Sequence, residues 1–283
     1  MKYTFSRPKH FDLDMIFDCG QCFRFNKNLE KNVWEGVAFG EYAAFSQDDK
    51  KIYTETSERR ENAKLWEHFL ALDCDYDEVQ MSILSAFKCD DIIKRAMAVG
   101  DGIRILRQDF HETLISFIIS QNNNIPRIMG IVERISRDFG EKIIAPDKRE
   151  FYTFPTANAL FSAGTDAIFE RKTGFRAKYI FDAARREVEN DTDGGKIKEM
   201  SSADALNELC KISGVGPKVA NCVMLFGLDK TDAFPVDVWI KKVIAKYFPS
   251  GLETDKLGPY GGVAQQYLFY FERYMLDREK KEN

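Results

Sequence analysis

Ser213-Gly214-Val215-Gly216-Pro217-Lys218 is the stretch whose reading decides the fold. A helix ending near Ile212 runs into it, and Val219, Ala220, Cys222, Val223 and Phe226 then recur at helical spacing up to Gly227. Two helices are therefore joined by a tight Gly-x-Gly hairpin. The glycines permit positive φ and let a bulky group approach the backbone, and Pro217 is preset for a first helical turn. A hairpin that aims N–H groups out of a helix N-terminus is an anion site, and a DNA phosphate is the obvious anion. An ordinary helix–helix turn uses the same residue types, so the anion reading needs support from the rest of the chain. Lys218 stands in the first turn of the second helix, where the macrodipole is positive and an ammonium is disfavoured. A neutral amine is a nucleophile, whereas a plain surface lysine is only solvated. Nineteen residues on, Phe234-Pro235-Val236-Asp237-Val238 places a carboxylate at the expected N-cap of the next helix.

The pattern continues on both sides. Ile240, Val243, Ile244, Tyr247 and Phe248 form a stripe stopped by Pro249, and Ser201-Ser202-Ala203-Asp204 resembles a capping box with Asp where Glu is usual. Upstream, Pro126 suits a first helical turn, and Ile128, Ile131, Val132, Ile135 and Phe139 follow at helical spacing. From His111 onward nearly every segment reads as helix. Before it, Phe23-Arg24-Phe25, the run Val33 to Phe45, and Lys51 to Thr56 are short aromatic or β-branched stretches broken by turn signals, which predicts an antiparallel meander. Helical signals start near Ala63, with Trp66, Phe69 and Leu70 on one stripe. The expected class is α+β: an N-terminal antiparallel β-sheet domain with flanking helices over 1–110, then an all-α body over 111–283.

The chain has 283 residues, 44% hydrophobic, with 41 Lys+Arg against 45 Asp+Glu. No window is long and apolar enough for a membrane span, and the first residues lack a signal-peptide core, so a cytoplasmic protein is expected, nucleoid-associated if bacterial. Six scattered cysteines read as free thiols. A net charge of −4 argues against a nucleic-acid partner, yet the excess is local. Residues 1–110 hold 16 basic and 20 acidic residues, and 111–283 hold 25 of each. Between Arg171 and Arg186, six basic residues face Asp182 alone, which reads as a DNA-facing patch.

Gly214-Val215-Gly216-Pro217-Lys218-Val219-Ala220 with Val236-Asp237 resembles the helix–hairpin–helix (about 203–227) and Pro-Val-Asp loop (235–237) of the base-excision DNA glycosylases. The Lys marks the bifunctional branch, and the surroundings are most similar to the 8-oxoguanine DNA glycosylase/lyases. Cys19-Gly20-Gln21-Cys22-Phe23-Arg24, Ser120 to Arg127, Gly174 to Tyr179 and Ala264 to Phe269 match in the family's order. The resemblance covers nearly the whole chain. It implies a TATA-binding-protein-like N-terminal domain and the following roles. Lys218 attacks C1′, expels the base and forms a Schiff base that collapses by β-elimination. Asp237 stabilises the cationic sugar and caps its helix. The flipped base is held by the Gly20 carbonyl, which accepts from the N7–H that guanine lacks, by Cys222 and Phe269 as a sandwich, and by Gln265 on its Watson–Crick edge. Asn122, Arg127 and Arg176 read the estranged cytosine, Phe175 is the wedge, and the backbone of Gly214, Val215 and Gly216 meets phosphate. The implied partner is double-stranded DNA containing 8-oxoguanine, bound by a monomer that needs no cofactor and no metal.

Two departures qualify the match. Trp239 stands where many relatives have His, which removes a phosphate contact and leaves Trp to pack or cover the pocket. Phe175 replaces a frequent Tyr and keeps the wedge without its hydroxyl. No cysteine follows Cys222, so a four-Cys iron–sulfur cluster cannot form. The rival readings are a thiol or zinc site at Cys19-Gly20-Gln21-Cys22, a non-catalytic module that holds damaged DNA, and a glycosylase for another lesion.

Overall fold

A computed structural model describes residues 1–57, 63–88 and 90–282, with the backbone alone at 255 and 276–282. The N-terminal part comprises β1 (Lys2–Ser6), α1 (Leu13–Asp18), β2 (Phe25–Asn28), β3 (Val33–Ala38), β4 (Glu41–Gln47) and β5 (Lys51–Thr56). They form one antiparallel sheet in the order β1-β5-β4-β3-β2. The meander is as expected, and β1 is an addition. Its alternation turns Tyr3 and Phe5 toward the core while Thr4 pairs with Tyr53 of β5.

One sheet face is an aromatic cluster. Phe17 of α1 stacks on Phe25 at 4.7 Å, and Phe45 meets Trp66 of α2 (Ala63–Phe69) edge-on at 5.6 Å. Such pairs add about 0.5–1.5 kcal/mol each beyond the area they bury. The next helices, α3 (Tyr76–Ala86) and α4 (Asp91–Val99), belong to a different core. They join the helical body of α5 (Phe110–Ile119), α6 (Ile125–Phe139), α7 (Ala157–Ile168), α8 (Ala177–Val188), α9 (Gly194–Glu199), α10 (Ser202–Leu209), α11 (Pro217–Gly227), α12 (Val238–Tyr247) and α13 (Gly261–Glu282). No helix among the described residues is long and apolar enough to cross a membrane.

The body carries one exception to its helical pattern. Strands β6 (Lys142–Ile144) and β7 (Glu150–Tyr152) form a hairpin between α6 and α7, too short to register as periodicity. Ile143 and Phe151 cover Val37 and Tyr42 of the main sheet, with the Tyr42 and Phe151 rings 4.6 Å apart. The hairpin thereby docks the body on the sheet.

The loop from Cys19 to Arg24, between α1 and β2, is clamped from both sides. Fully buried Gln21 donates from Nε2 to the carbonyls of Ile16 (2.9 Å) and Arg104 (2.8 Å), and accepts from the Leu106 N–H at 2.8 Å. Arg24 reaches across to Ser136 Oγ and the Tyr152 carbonyl, and its Nε lies 3.8 Å from Glu112. Burial pushes the Glu112 carboxyl up to about 7, with Arg24 pulling against it.

Cys19, Cys22, Cys74, Cys210 and Cys222 are free thiols, and Cys89 lies outside the described residues. Burial pushes both Cys19 and Cys22 up to about 12. Redox or zinc chemistry needs a thiolate, so these two are core side chains, and Cys19 donates to the Ile16 carbonyl at 3.2 Å.

Candidate active site and DNA interface

Ser201 caps α10 as expected, accepting from the Asp204 N–H at 3.2 Å. The hairpin that follows departs from the sequence reading in two details. Gly214 alone uses positive φ, at +79°, whereas Gly216 at −100° is in ordinary extended backbone. A Cβ on Gly214 would stand 2.4 Å from the Tyr179 ring, while one on Gly216 would meet nothing within 4 Å. Val215 is buried, and its N–H is committed to the Ile212 carbonyl at 3.0 Å. Among the described residues no side chain caps α11, which leaves the N–H groups of its first turn without a side-chain acceptor behind Pro217. Gly214→Ala should lower unfolding free energy by about 2–3 kcal/mol, from strain and ring overlap. Gly216→Ala should stay within about 0.5 kcal/mol of wild type. Denaturant titration of the pair checks this, and equal losses would contradict the packing.

Lys218 is half-buried and reaches from α11 to α5. Its Nζ donates to Ser120 Oγ at 3.2 Å and lies 5.3 Å from the Phe117 ring centroid. Ser120 Oγ in turn donates to the Phe117 carbonyl at 2.8 Å, which turns an oxygen lone pair toward the lysine. Asp237 is the N-cap of α12: Oδ1 accepts from the N–H groups of Trp239 (3.0 Å) and Ile240 (2.8 Å). Among the described residues Oδ2 accepts no hydrogen bond, so capping leaves one oxygen for chemistry. Buried Cys222 lies within the field of both groups. Burial pushes its thiol up to about 11, with the Lys218 ammonium pulling against that and the Asp237 carboxylate adding to it. A neutral thiol makes an apolar wall and does not compete with the amine.

Asn221 ties the Lys218 and Asp237 segments together, a residue the sequence reading missed. Its Nδ2 donates to the Pro217 carbonyl at 2.8 Å and its Oδ1 accepts from the Phe234 N–H at 3.2 Å. The first of these bonds is an i, i+4 contact on α11, so the spacing held the signal. The contacts of Lys218 with Ser120 and Phe117 were also missed, because they join positions 98 and 101 residues apart.

Gly20 and Phe269 are brought together. Gly20 has φ +77°, and a Cβ there would lie 3.7 Å from the Phe269 ring and 3.3 Å from Ile125. Gln265, one turn before Phe269 on α13, is buried and accepts from Gln266 Nε2 at 2.9 Å. A cavity of about 200 Å³ opens beside Gly20, bounded by Phe17, Trp34, Ile125 and Met129. Lys218 and Asn221 rim a larger groove of about 960 Å³.

The site thus joins a lysine, a capping carboxylate and a slot between Gly20 and Phe269, and kinship says which family builds it. The family model described as 8-oxoguanine DNA glycosylase, N-terminal domain, matches residues 4–114. The N-glycosylase/DNA lyase of Saccharomyces cerevisiae is 31% identical over 277 residues, covering 86% of this chain and 71% of that one. The chain belongs to the 8-oxoguanine DNA glycosylase family. It is also similar to two solved DNA complexes. MBOgg1 with a low-affinity DNA ligand is 36% identical, with a TM-score of 0.89 over 97% of this chain and 96% of that one. The Clostridium acetobutylicum 8-oxoguanine glycosylase/lyase, bound to double-stranded DNA with cytosine opposite 8-oxoguanine, is 34% identical, with a TM-score of 0.86 over 96% and 98%.

In this glycosylase the residues expected to face the opposite base are not equivalent. Asn122 (φ +47°) and Arg127 are exposed. Arg176 is 2% exposed, and its guanidinium is committed to backbone carbonyls. Nε donates to Gln121 at 2.9 Å, Nη2 to Gln121 and to Asn122 at 3.1 Å, and Nη1 to Thr173 at 3.1 Å. Reading cytosine with this side chain requires those bonds to be exchanged. Burial, and then the neighbouring Arg127 charge, lower the Arg176 pKa from its usual value. Phe175 is 53% exposed and held edge-on by Tyr179 at 6.2 Å.

Half of the basic run between Arg171 and Arg186 is paired within the fold and Arg176 is held by backbone carbonyls, which leaves Lys172 and Lys178 as its exposed charges. Arg171 pairs with Asp138 and Glu170, both at 2.8 Å, and Arg185 and Arg186 flank Asp182 at 2.9 and 3.1 Å. Burial would raise the Asp182 pKa, but Arg185, the Ser213 N–H and Arg186 hold it at about 2. Asp182 thus braces the hairpin through the Ser213 N–H at 3.0 Å. Lys172 and Lys178 are exposed, and among the described residues they form no ion pair. At the departure from the family pattern, the Trp239 ring packs under Lys242, whose Nζ is 4.7 Å from it.

Proposed function

We propose that this protein flips 8-oxoguanine out of duplex DNA, opposite cytosine, removes it through Lys218 and nicks the strand through a Schiff base. The observation that carries the reading is the Asn221 bridge that ties the Lys218 turn of α11 to the segment leading into the Asp237 cap, in a chain of this family. The Lys218 amine attacks C1′, the C1′–N9 bond breaks, and its electron pair leaves with the base. The free carboxylate oxygen of Asp237 opposes the positive charge that develops on the sugar, where a dry site makes it most effective. Loss of the amine proton and opening of the sugar give the imine. Abstraction of a C2′ proton then expels the 3′ phosphate.

Around this chemistry, Gly20, Cys222, Gln265 and Phe269 hold the base, and Phe175 fills the gap it leaves. Asn122 and Arg127 read the partner base, while Arg176 holds the loop that carries Asn122. Phosphate meets the exposed flank of Gly216 and the first-turn N–H groups of α11, rather than the committed N–H of Val215. Residues 1–110, whose α3 and α4 pack into the helical core, supply the Gly20 wall, and residues 111–283 the nucleophile. The protein acts as a monomer on cytoplasmic or nucleoid DNA. A lesion panel tests substrate choice: 8-oxoguanine opposite cytosine should be released fastest. Faster release of thymine glycol or of mispaired adenine would refute the assignment.

A further inference from the structure

We infer that Arg273 is a positioning residue that clips the two walls of the base slot together, an inference that rests on the base-excision reading above. One wall is the loop bearing Gly20; the other is Phe269 on α13. Arg273 follows Phe269 by four residues, so both lie on one face of the helix. Its side chain is 25% exposed, and its guanidinium carbon lies 5.8 Å from the Phe269 ring centroid. Nη1 donates to the Asp18 carbonyl at 2.8 Å, and Nη2 lies 3.8 Å from the Asp18 carboxylate. Asp18 is the last residue of α1, two positions before Gly20. One planar cation therefore touches the aromatic wall and holds the chain that feeds the carbonyl wall, across 255 positions of sequence.

The inner side of the loop is fixed separately by Gln21, so Arg273 governs the spacing between the walls rather than the existence of the loop. Recognition by a single N7–H to carbonyl bond tolerates little slack, because a stretched bond leaves the carbonyl poorly matched and erases the advantage over guanine. Cleavage at an abasic site involves no base and does not use the slot. The clip therefore acts on base release and not on the Schiff-base chemistry.

Three proteins decide the matter: wild type, Arg273→Ala and Arg273→Lys. Each is assayed under single turnover on a duplex with 8-oxoguanine opposite cytosine and on the same duplex with a preformed abasic site. Arg273→Ala should slow base release about 10- to 100-fold and leave abasic cleavage within about twofold of wild type. Arg273→Lys should fall between, keeping a donor for Asp18 but losing the guanidinium beside the Phe269 ring. Unchanged base release in Arg273→Ala would overturn the clip. So would an equal loss in both reactions, which marks general damage to the fold. Wild-type protein that cleaves the abasic strand but leaves 8-oxoguanine in place would overturn the base-excision reading itself.

Discussion

Lys218→Gln should leave an abasic strand uncut above background and should slow release of 8-oxoguanine by about 10³-fold or more, because an amide cannot form the imine. The substitution is mild for the fold. Glutamine keeps a donor for Ser120 Oγ and removes a cation that the N-terminus of α11 disfavours. The variant should therefore unfold at or above the wild-type temperature and still bind a duplex carrying the lesion. Strand cleavage within tenfold of wild type would move the nucleophile to another residue. The Cys222 thiol is a poor substitute, since burial holds it protonated up to about 11.

Asp237→Asn separates the two uses of one side chain. Asparagine caps helices as well as aspartate, so the bonds to the Trp239 and Ile240 N–H groups survive and stability should change by less than about 1 kcal/mol. What disappears is the negative charge on Oδ2. Removing one preorganised electrostatic partner of a transition state costs about 10²–10³ in rate, and base release should fall by that factor. Single-turnover kinetics beside a melting curve give both numbers. A loss of stability matching the loss of rate would mean that Asp237 is only a cap.

The parts of the molecule legible in the sequence are those set by local chemistry. Gly214, Pro217 and Asp237 announce a turn, a helix start and a cap through their own backbone preferences, and the structure uses all three in that way. The meander from Phe25 to Thr56 follows from turn signals and β-branched runs, and β1 escapes notice because its pattern is brief and half-exposed. Hairpin β6–β7 escapes for the same reason.

Charge was harder to read. Asp182 stands at i−3 and i−4 from Arg185 and Arg186, a spacing visible in the sequence that already predicts pairing. Arg171 with Asp138, and Arg176 with the Gln121 carbonyl, join residues that only the tertiary fold brings together. A run of like charges in the sequence therefore says little about field at the surface. The negative excess of the first 110 residues and the modest exposed charge near the wedge both imply few phosphate contacts and a shallow fall of DNA affinity with salt.

Borohydride trapping on a duplex containing 8-oxoguanine opposite cytosine tests the central claim most directly. Reduction of the imine should fix wild-type protein to the DNA as a covalent adduct, and the adduct should vanish with Lys218→Gln. No adduct with wild type, or an undiminished one with Lys218→Gln, would contradict the assignment of Lys218 as the nucleophile.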